Sequence, residues 1–90
     1  MNTFLIGYDL KRPGQNYTSL VAALKAYGTW WHNLDSTWIL KTNSSVIQVR
    51  DALLAHIDRN DRLLVIDITS RGAAWYGFDK AAQDWLTQHV

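Results

Sequence analysis

Two stretches of helical periodicity in this chain are each bracketed by runs of β-forming residues, and that order limits the possible folds more than any other feature. Thr3-Phe4-Leu5-Ile6-Gly7-Tyr8 is a short apolar run closed by Asp9 and the turn-forming Arg12-Pro13-Gly14, which reads as a buried first strand. Tyr17, Leu20, Val21, Leu24 and Tyr27 then recur at spacings of three and four. The spacing predicts a helix capped by Asn16 and ended by Gly28, because glycine takes up a terminating left-handed conformation at little cost. Residues 29–34 and 37–41 are rich in Trp, Thr and Ile, and Asp35-Ser36 between them suits the tight turn of an antiparallel hairpin. Asn43 or Ser44 is expected to cap a second helix, with Val46, Val49, Leu53 and Ile57 along one face and Gln48, Arg50 and Asp51 towards water. Asp58-Arg59-Asn60-Asp61 ends it. The run 62–69 is almost continuously apolar and predicts a strand that is central or covered on both faces. Residues 73–78 are expected to add a fifth, edge strand, and Asp79 to cap a last short helix containing Ala82, Trp85 and Leu86.

Each strand, helix, strand unit requires a right-handed crossover, and two such units interlock as a split βαβ sandwich. The expected fold class is therefore α+β, a ferredoxin-like βαββαβ sandwich with a C-terminal strand and helix extension. One domain spans residues 1–90, since a chain of 90 residues has no room for two cores. Both main helices should lie on one sheet face. A chain with five tryptophans is not expected to leave the other face wet, so a face-to-face homodimer is predicted.

Nine Lys and Arg stand against eight Asp and Glu, a net charge of +1 that does not suit a protein coated for duplex nucleic acid. A local basic rim remains open, because Lys11, Arg12, Arg59, Arg62, Arg71 and Lys80 all fall at or beside predicted element ends. The absence of cysteine excludes both a disulfide framework and a thiolate metal site. No basic n-region precedes a long apolar run at the start, and no segment approaches the ~20 apolar residues of a membrane span. The expected location is cytoplasmic, with no membrane partner.

Asp9 is the leading candidate for chemistry. A carboxylate at the end of a rigid strand, open to a loop, can ligate a hard divalent ion such as magnesium, which takes oxygen ligands and keeps several waters. A twofold axis close by would add the second subunit's Asp9, and the pair could hold a metal that activates water against a phosphodiester. The alternative is that Asp9 caps the turn before the helix. His32 can serve as general acid or base if it faces the same cleft, its ordinary pKa lying near neutrality; otherwise it is a satisfied polar residue on a sheet. Ser36 and Thr37 fit a phosphate contact or simply a turn. Trp30, Trp31, Trp38, Trp75 and Trp85 can stack unpaired bases or fill a core or dimer interface, and the adjacent Trp30 and Trp31 must point to opposite faces. Asp67, an acid inside an apolar strand, pairs with an arginine, faces an edge, or serves the site of Asp9.

Phe4-Leu5-Ile6-Gly7-Tyr8-Asp9-Leu10, a helix ending Lys25-Ala26-Tyr27-Gly28, a hairpin, and a second helix before Asp61-Arg62-Leu63-Leu64-Val65-Ile66 together carry a resemblance. They resemble the superfamily that contains the small CRISPR-associated adaptation protein, the minor subunit of the spacer-integration complex, and the virulence-associated protein D endoribonucleases. The SinR-like branch is the nearer match, through Trp30-Trp31-His32, Leu34-Asp35-Ser36-Thr37-Trp38 and Trp75-Tyr76-Gly77-Phe78. The resemblance implies phosphodiester cleavage of RNA or DNA, with the aspartate ending the first strand as a magnesium ligand paired across a homodimer. Asp9 occupies that position. On this reading the protein is a metal-dependent endonuclease, endoribonuclease-like, in which Tyr8, Lys11, Arg12 or His32 contacts phosphate. The alternative is a non-catalytic dimeric module of the same fold that binds nucleic acid or protein.

Overall fold

The computed structural model describes residues 1–11 and 17–90. The expected Pro13-Gly14 turn, Arg12 and the Asn16 cap lie outside the described residues. The elements follow the order β1 (Asn2–Asp9), α1 (Thr18–Lys25), β2 (Thr29–Leu34), β3 (Thr37–Thr42), α2 (Val46–Leu54), β4 (Arg62–Asp67) and α3 (Lys80–His89). The strands form one antiparallel sheet in the order β2-β3-β1-β4. Each strand, helix, strand unit is thus split by a strand of the other: β3 lies between β1 and β2, and β1 between β3 and β4. The result is an α+β fold with a four-stranded sheet and three helices among the described residues.

The element ends follow local chemistry. Gly28 has φ +88° and donates its N–H to the Lys25 carbonyl, stopping α1 as its residue type predicts. The α2 cap is Ser45, where Asn43 or Ser44 was expected. The Ser45 hydroxyl accepts the Gln48 N–H at 3.1 Å while the Gln48 side chain accepts the Ser45 N–H at 2.8 Å, a reciprocal bond that neither earlier residue can form with Gln48 at that spacing. Asp79 caps α3 by accepting the Ala82 N–H.

The main core lies between the sheet and the α1/α2 layer. Phe4 and Ile6 of β1, Trp38 and Leu40 of β3, Leu20 and Leu24 of α1, and Val49 and Leu53 of α2 are all buried there. Trp38 is the largest of them. Trp30 and His32, both from the same face of β2, flank its ring, with His32 stacked at 4.0 Å and 13°. A second cluster occupies the opposite sheet face, where Trp31, Ile39, Ala82 and Leu86 are buried and Phe78 meets Trp31 edge-on at 5.0 Å. Trp30 and Trp31 do point to opposite faces. The Trp31 indole donates to the Ala82 carbonyl, and Lys41 Nζ bonds both Thr3 Oγ1 and the His89 carbonyl, so α3 is fastened at its start and at its end.

On this second face α3 covers the β2/β3 half, and two expectations require correction. The apolar run of β4 is neither central nor doubly covered: β4 ends the sheet, with Leu64 54% and Ile66 43% exposed. Residues 73–78 form no strand. Gly72 and Gly77 adopt φ +83° and +91°, which a ladder does not accommodate, and the backbone between them makes no hydrogen bond to the described residues.

Trp38 is fully buried among both helices and β1, so Trp38→Ala should lower unfolding free energy by ~3–5 kcal/mol. Urea denaturation of the two proteins measures it. A loss below about 1 kcal/mol would show that the ring does not carry the core.

Candidate functional site

β1 carries two neighbouring polar residues to the same end of the sheet and presents them on opposite faces. Tyr8 follows Phe4 and Ile6 in the alternation and packs against the main core. Asp9 follows Leu5 and Gly7 onto the second face. Its side chain is 57% exposed and pairs with Lys11 Nζ at 2.6 Å. Both members are open to water, so the pair adds little stability and leaves the carboxylate reachable. Asp9 accepts no backbone N–H among the described residues, and the turn it was weighed as capping lies outside them. The Asp61 carboxylate accepts from the Lys11 N–H at 2.7 Å, the Asp58 N–H at 2.7 Å and the Tyr17 hydroxyl at 2.9 Å. Asp61 thereby bonds both Lys11 and Tyr17, the described residues on either side of residues 12–16.

His32 belongs with Tyr8, on the helix side. The Trp38 indole N–H donates to Tyr8 Oη at 3.1 Å, and Tyr8 Oη lies 3.5 Å from the Asp35 carbonyl, which His32 Nε2 also approaches at 3.3 Å. The hairpin turn therefore gathers the Tyr8 hydroxyl and the His32 ring around one backbone oxygen, with Trp38 between them. No bond links His32 to Asp9. The Ser36 carbonyl accepts the Tyr8 N–H, extending the β1/β3 ladder into the turn, a structural use of that residue.

On the second face two residues join Asp9 that sequence reasoning did not place there. Arg62 is the cross-strand partner of Asp9, and Gly7 lies opposite Leu64. Gly7, Asp9, Arg62 and Leu64 border a shallow depression of about 230 Å³. Arg62 has no ion-pair or side-chain hydrogen-bond partner among the described residues. The signal in the sequence was parity: Gly7 is two residues before Asp9, and Arg62 begins the strand that must pair with the first.

No group of three or more His, Cys, Asp or Glu side chains suited to a metal occurs among the described residues. Among the described residues Asp9 is the carboxylate that borders this depression, since Asp61 is engaged by Lys11, Asp58 and Tyr17. Magnesium retains several waters and can be held by two carboxylates, so the donor set fits only when a second Asp9 is present. Asp67 plays no part here. Its carboxylate accepts the N–H and hydroxyl of Thr69, which together with Arg71 hold it below the usual carboxylate range, the threonine hydroxyl acting most. It organises a turn and forms no ion pair, although a pair with arginine was one expected role. Because its folded pKa is lowered, the stability it contributes is present above the ordinary carboxylate pKa and is lost as pH falls through the lowered value.

Tyr8→Phe should leave the buried Trp38 N–H without an acceptor and cost ~1–3 kcal/mol, measured by denaturation at neutral pH. An unchanged midpoint would mean that the hydroxyl does not hold the indole and stands free for a ligand. Compared with known proteins, the chain matches no family model, no curated protein and no solved structure.

Proposed function

We propose that this chain is a homodimeric, ferredoxin-like, metal-dependent endonuclease acting on RNA, in which the Asp9 carboxylates of two protomers share one magnesium ion. The sheet order β2-β3-β1-β4 with every neighbouring pair antiparallel supports the fold assignment, as it is the order that two interlocked split units generate. The observation that carries the function is the position of Asp9: exposed, at the end of a central strand, on the sheet half that α3 leaves bare. A homodimer is supported by the exposed Leu64 and Ile66 on that same half, which a second copy would cover. Membership of the SinR-like branch rests on the sequence resemblance and adds the expectation of phosphodiester cleavage.

The ion, once bound, supplies an activated water and charge for the phosphodiester. Lys11 and Arg62 stand beside Asp9 and bring positive charge to bind the backbone of the nucleic acid. Arg12 follows Lys11 in the sequence and lies outside the described residues. Tyr8 and His32 meet a substrate only where it passes round the hairpin to the helix side. The cytoplasm is the compartment this reading requires, and no helix among the described residues is long and apolar enough to cross a membrane. A second reading, a non-catalytic dimeric module that binds nucleic acid or protein, is favoured by one observation: within a protomer Lys11 already neutralises Asp9.

Asp9→Asn separates the two. The nuclease reading expects the variant to keep its fold and assembly, to lose magnesium-stimulated cleavage of labelled RNA, and to lose any rise in melting temperature on adding magnesium. Cleavage by the variant at the wild-type rate, with a mock purification as control, would refute a catalytic Asp9. Wild-type protein that cleaves neither RNA nor DNA in magnesium or manganese would leave the binding module.

A further inference from the structure

The segment that follows β4 stands apart from the second sheet face, and a cavity of about 290 Å³ lies between the two. Its origin is in the backbone. Ser70, Gly72 and Gly77 take φ values of +55°, +83° and +91°, left-handed conformations that turn the chain out of any strand and leave the floor of the sheet uncovered beneath it. Leu5 and Ile39 of the sheet, Leu86 of α3, and the rings of Trp31, Trp75 and Phe78 line the space. Two of these walls are already fixed: Trp31 is buried with its indole N–H bonded to the Ala82 carbonyl, and Phe78 meets it edge-on. A concave, apolar and preformed space of this kind is what a small-molecule site requires.

Arg71 is the one charged residue on the lining, and it is exposed. Its side chain makes no ion pair or hydrogen bond among the described residues. Asp67, the acid that feels its charge, is occupied by the N–H and hydroxyl of Thr69. We propose that this cavity binds a small aromatic carboxylate, its ring held among Trp31, Trp75 and Phe78 and its carboxylate by Arg71. The cavity shares no lining residue with the depression beside Asp9, so the proposal goes beyond the nuclease reading and does not depend on it.

Size, wall chemistry and charge together select that class. The volume lies at the lower end of the ~300–1,000 Å³ of ligand pockets, which admits one or two fused rings and excludes a nucleotide or a folded segment. Aromatic walls favour an aromatic occupant, since rings pair edge-to-face or offset at a gain beyond simple burial. The planar guanidinium fork matches a carboxylate through two parallel hydrogen bonds, and Thr37 adds a hydroxyl to the same lining. One cation balances one carboxylate. A phosphate dianion would bring a second charge against apolar walls with nothing to compensate it.

Titration of the full chain with 2-naphthoate and with its uncharged counterpart 2-naphthalenemethanol, followed by proton–nitrogen NMR at neutral pH, tests the proposal. The wild type is expected to bind 2-naphthoate at a single site with Kd ~0.1–1 mM, the range for an enclosed ligand of this size. The indole N–H signals of Trp31 and Trp75 should shift, and those of Trp30 and Trp38, on the other sheet face, should not. Arg71→Gln should weaken 2-naphthoate at least ~10-fold and leave 2-naphthalenemethanol unchanged, as loss of a charge-assisted contact requires. Ala74→Trp, which places a large side chain on the lining, should abolish binding of both probes. Arg71 and Ala74 are exposed and lie outside the helices and strands, so both variants should keep the wild-type far-UV spectrum; if one does not fold, the other decides. No saturable shift up to ~5 mM 2-naphthoate overturns the proposal, as do shifts confined to the other tryptophans and a folded variant that binds 2-naphthoate as the wild type does.

Discussion

Hydrogen bonding of β1 on both of its edges is the constraint on which the rest of this structure depends. With β3 on one side and β4 on the other, β1 is internal to the sheet, and neither strand, helix, strand unit can close without the other. A small domain buries only ~60% of the surface its unfolded chain exposes, so an arrangement that shares strands between units is an economical way to enclose one core. The alternation along β1 then distributes the chemistry. Phe4, Ile6 and Tyr8 go to the helix face; Thr3, Leu5, Gly7 and Asp9 go to the other.

The two faces are finished to different degrees. On the helix face the polar groups around Trp38 are satisfied: the Trp38 indole by Tyr8, and His32 by stacking and the turn carbonyl. On the second face α3 seals the β2/β3 half through Trp31 and Lys41 and then stops. The β1/β4 half keeps apolar side chains in water, at roughly 25 cal/mol per Å² of apolar surface. That cost is not offset within one protomer. A partner surface is the simplest physical account of it, and the exposed Asp9 carboxylate lies on the same half.

Much of this was legible in the residues, and the failures have physical causes. The helical spacings, Gly28 and the Asp35-Ser36 turn are local signals, each set by neighbours within four residues, and they located α1, its C-terminal end and the hairpin. The α2 cap moved by one or two residues because Asn43, Ser44 and Ser45 are all capping types, and only the bond to Gln48 separates them. The error over β4 is of another kind. An unbroken apolar run reads the same whether a strand is covered by its own chain or by another, and periodicity cannot distinguish them. Residues 73–78 carry aromatics that suit a strand, yet Gly72 before them and Gly77 among them adopt left-handed conformations that the residue types permit but do not require. As for the site, Asp9 was visible from its position at a strand end, whereas Arg62 and Gly7 emerge only with the β1/β4 register, which no local pattern encodes.

The adjacency of Tyr8 and Asp9 shows why one strand end can hold both a core contact and a reachable carboxylate without compromise. Because successive side chains of a strand project to opposite faces, two residues 3.4 Å or so apart along β1 occupy environments with no shared partner. Tyr8 is locked between the hairpin and Trp38, so altering it disturbs the core. Among the described residues the Asp9 carboxylate pairs with Lys11, in water, and nothing buried depends on its charge. Interactions between exposed charges are weak and screened, so the carboxylate can exchange Lys11 for a cation or for the arginine of another protomer at small cost. A group fixed in place by the strand that carries it, yet weakly held by its own contacts, is suited to engaging something outside the protomer.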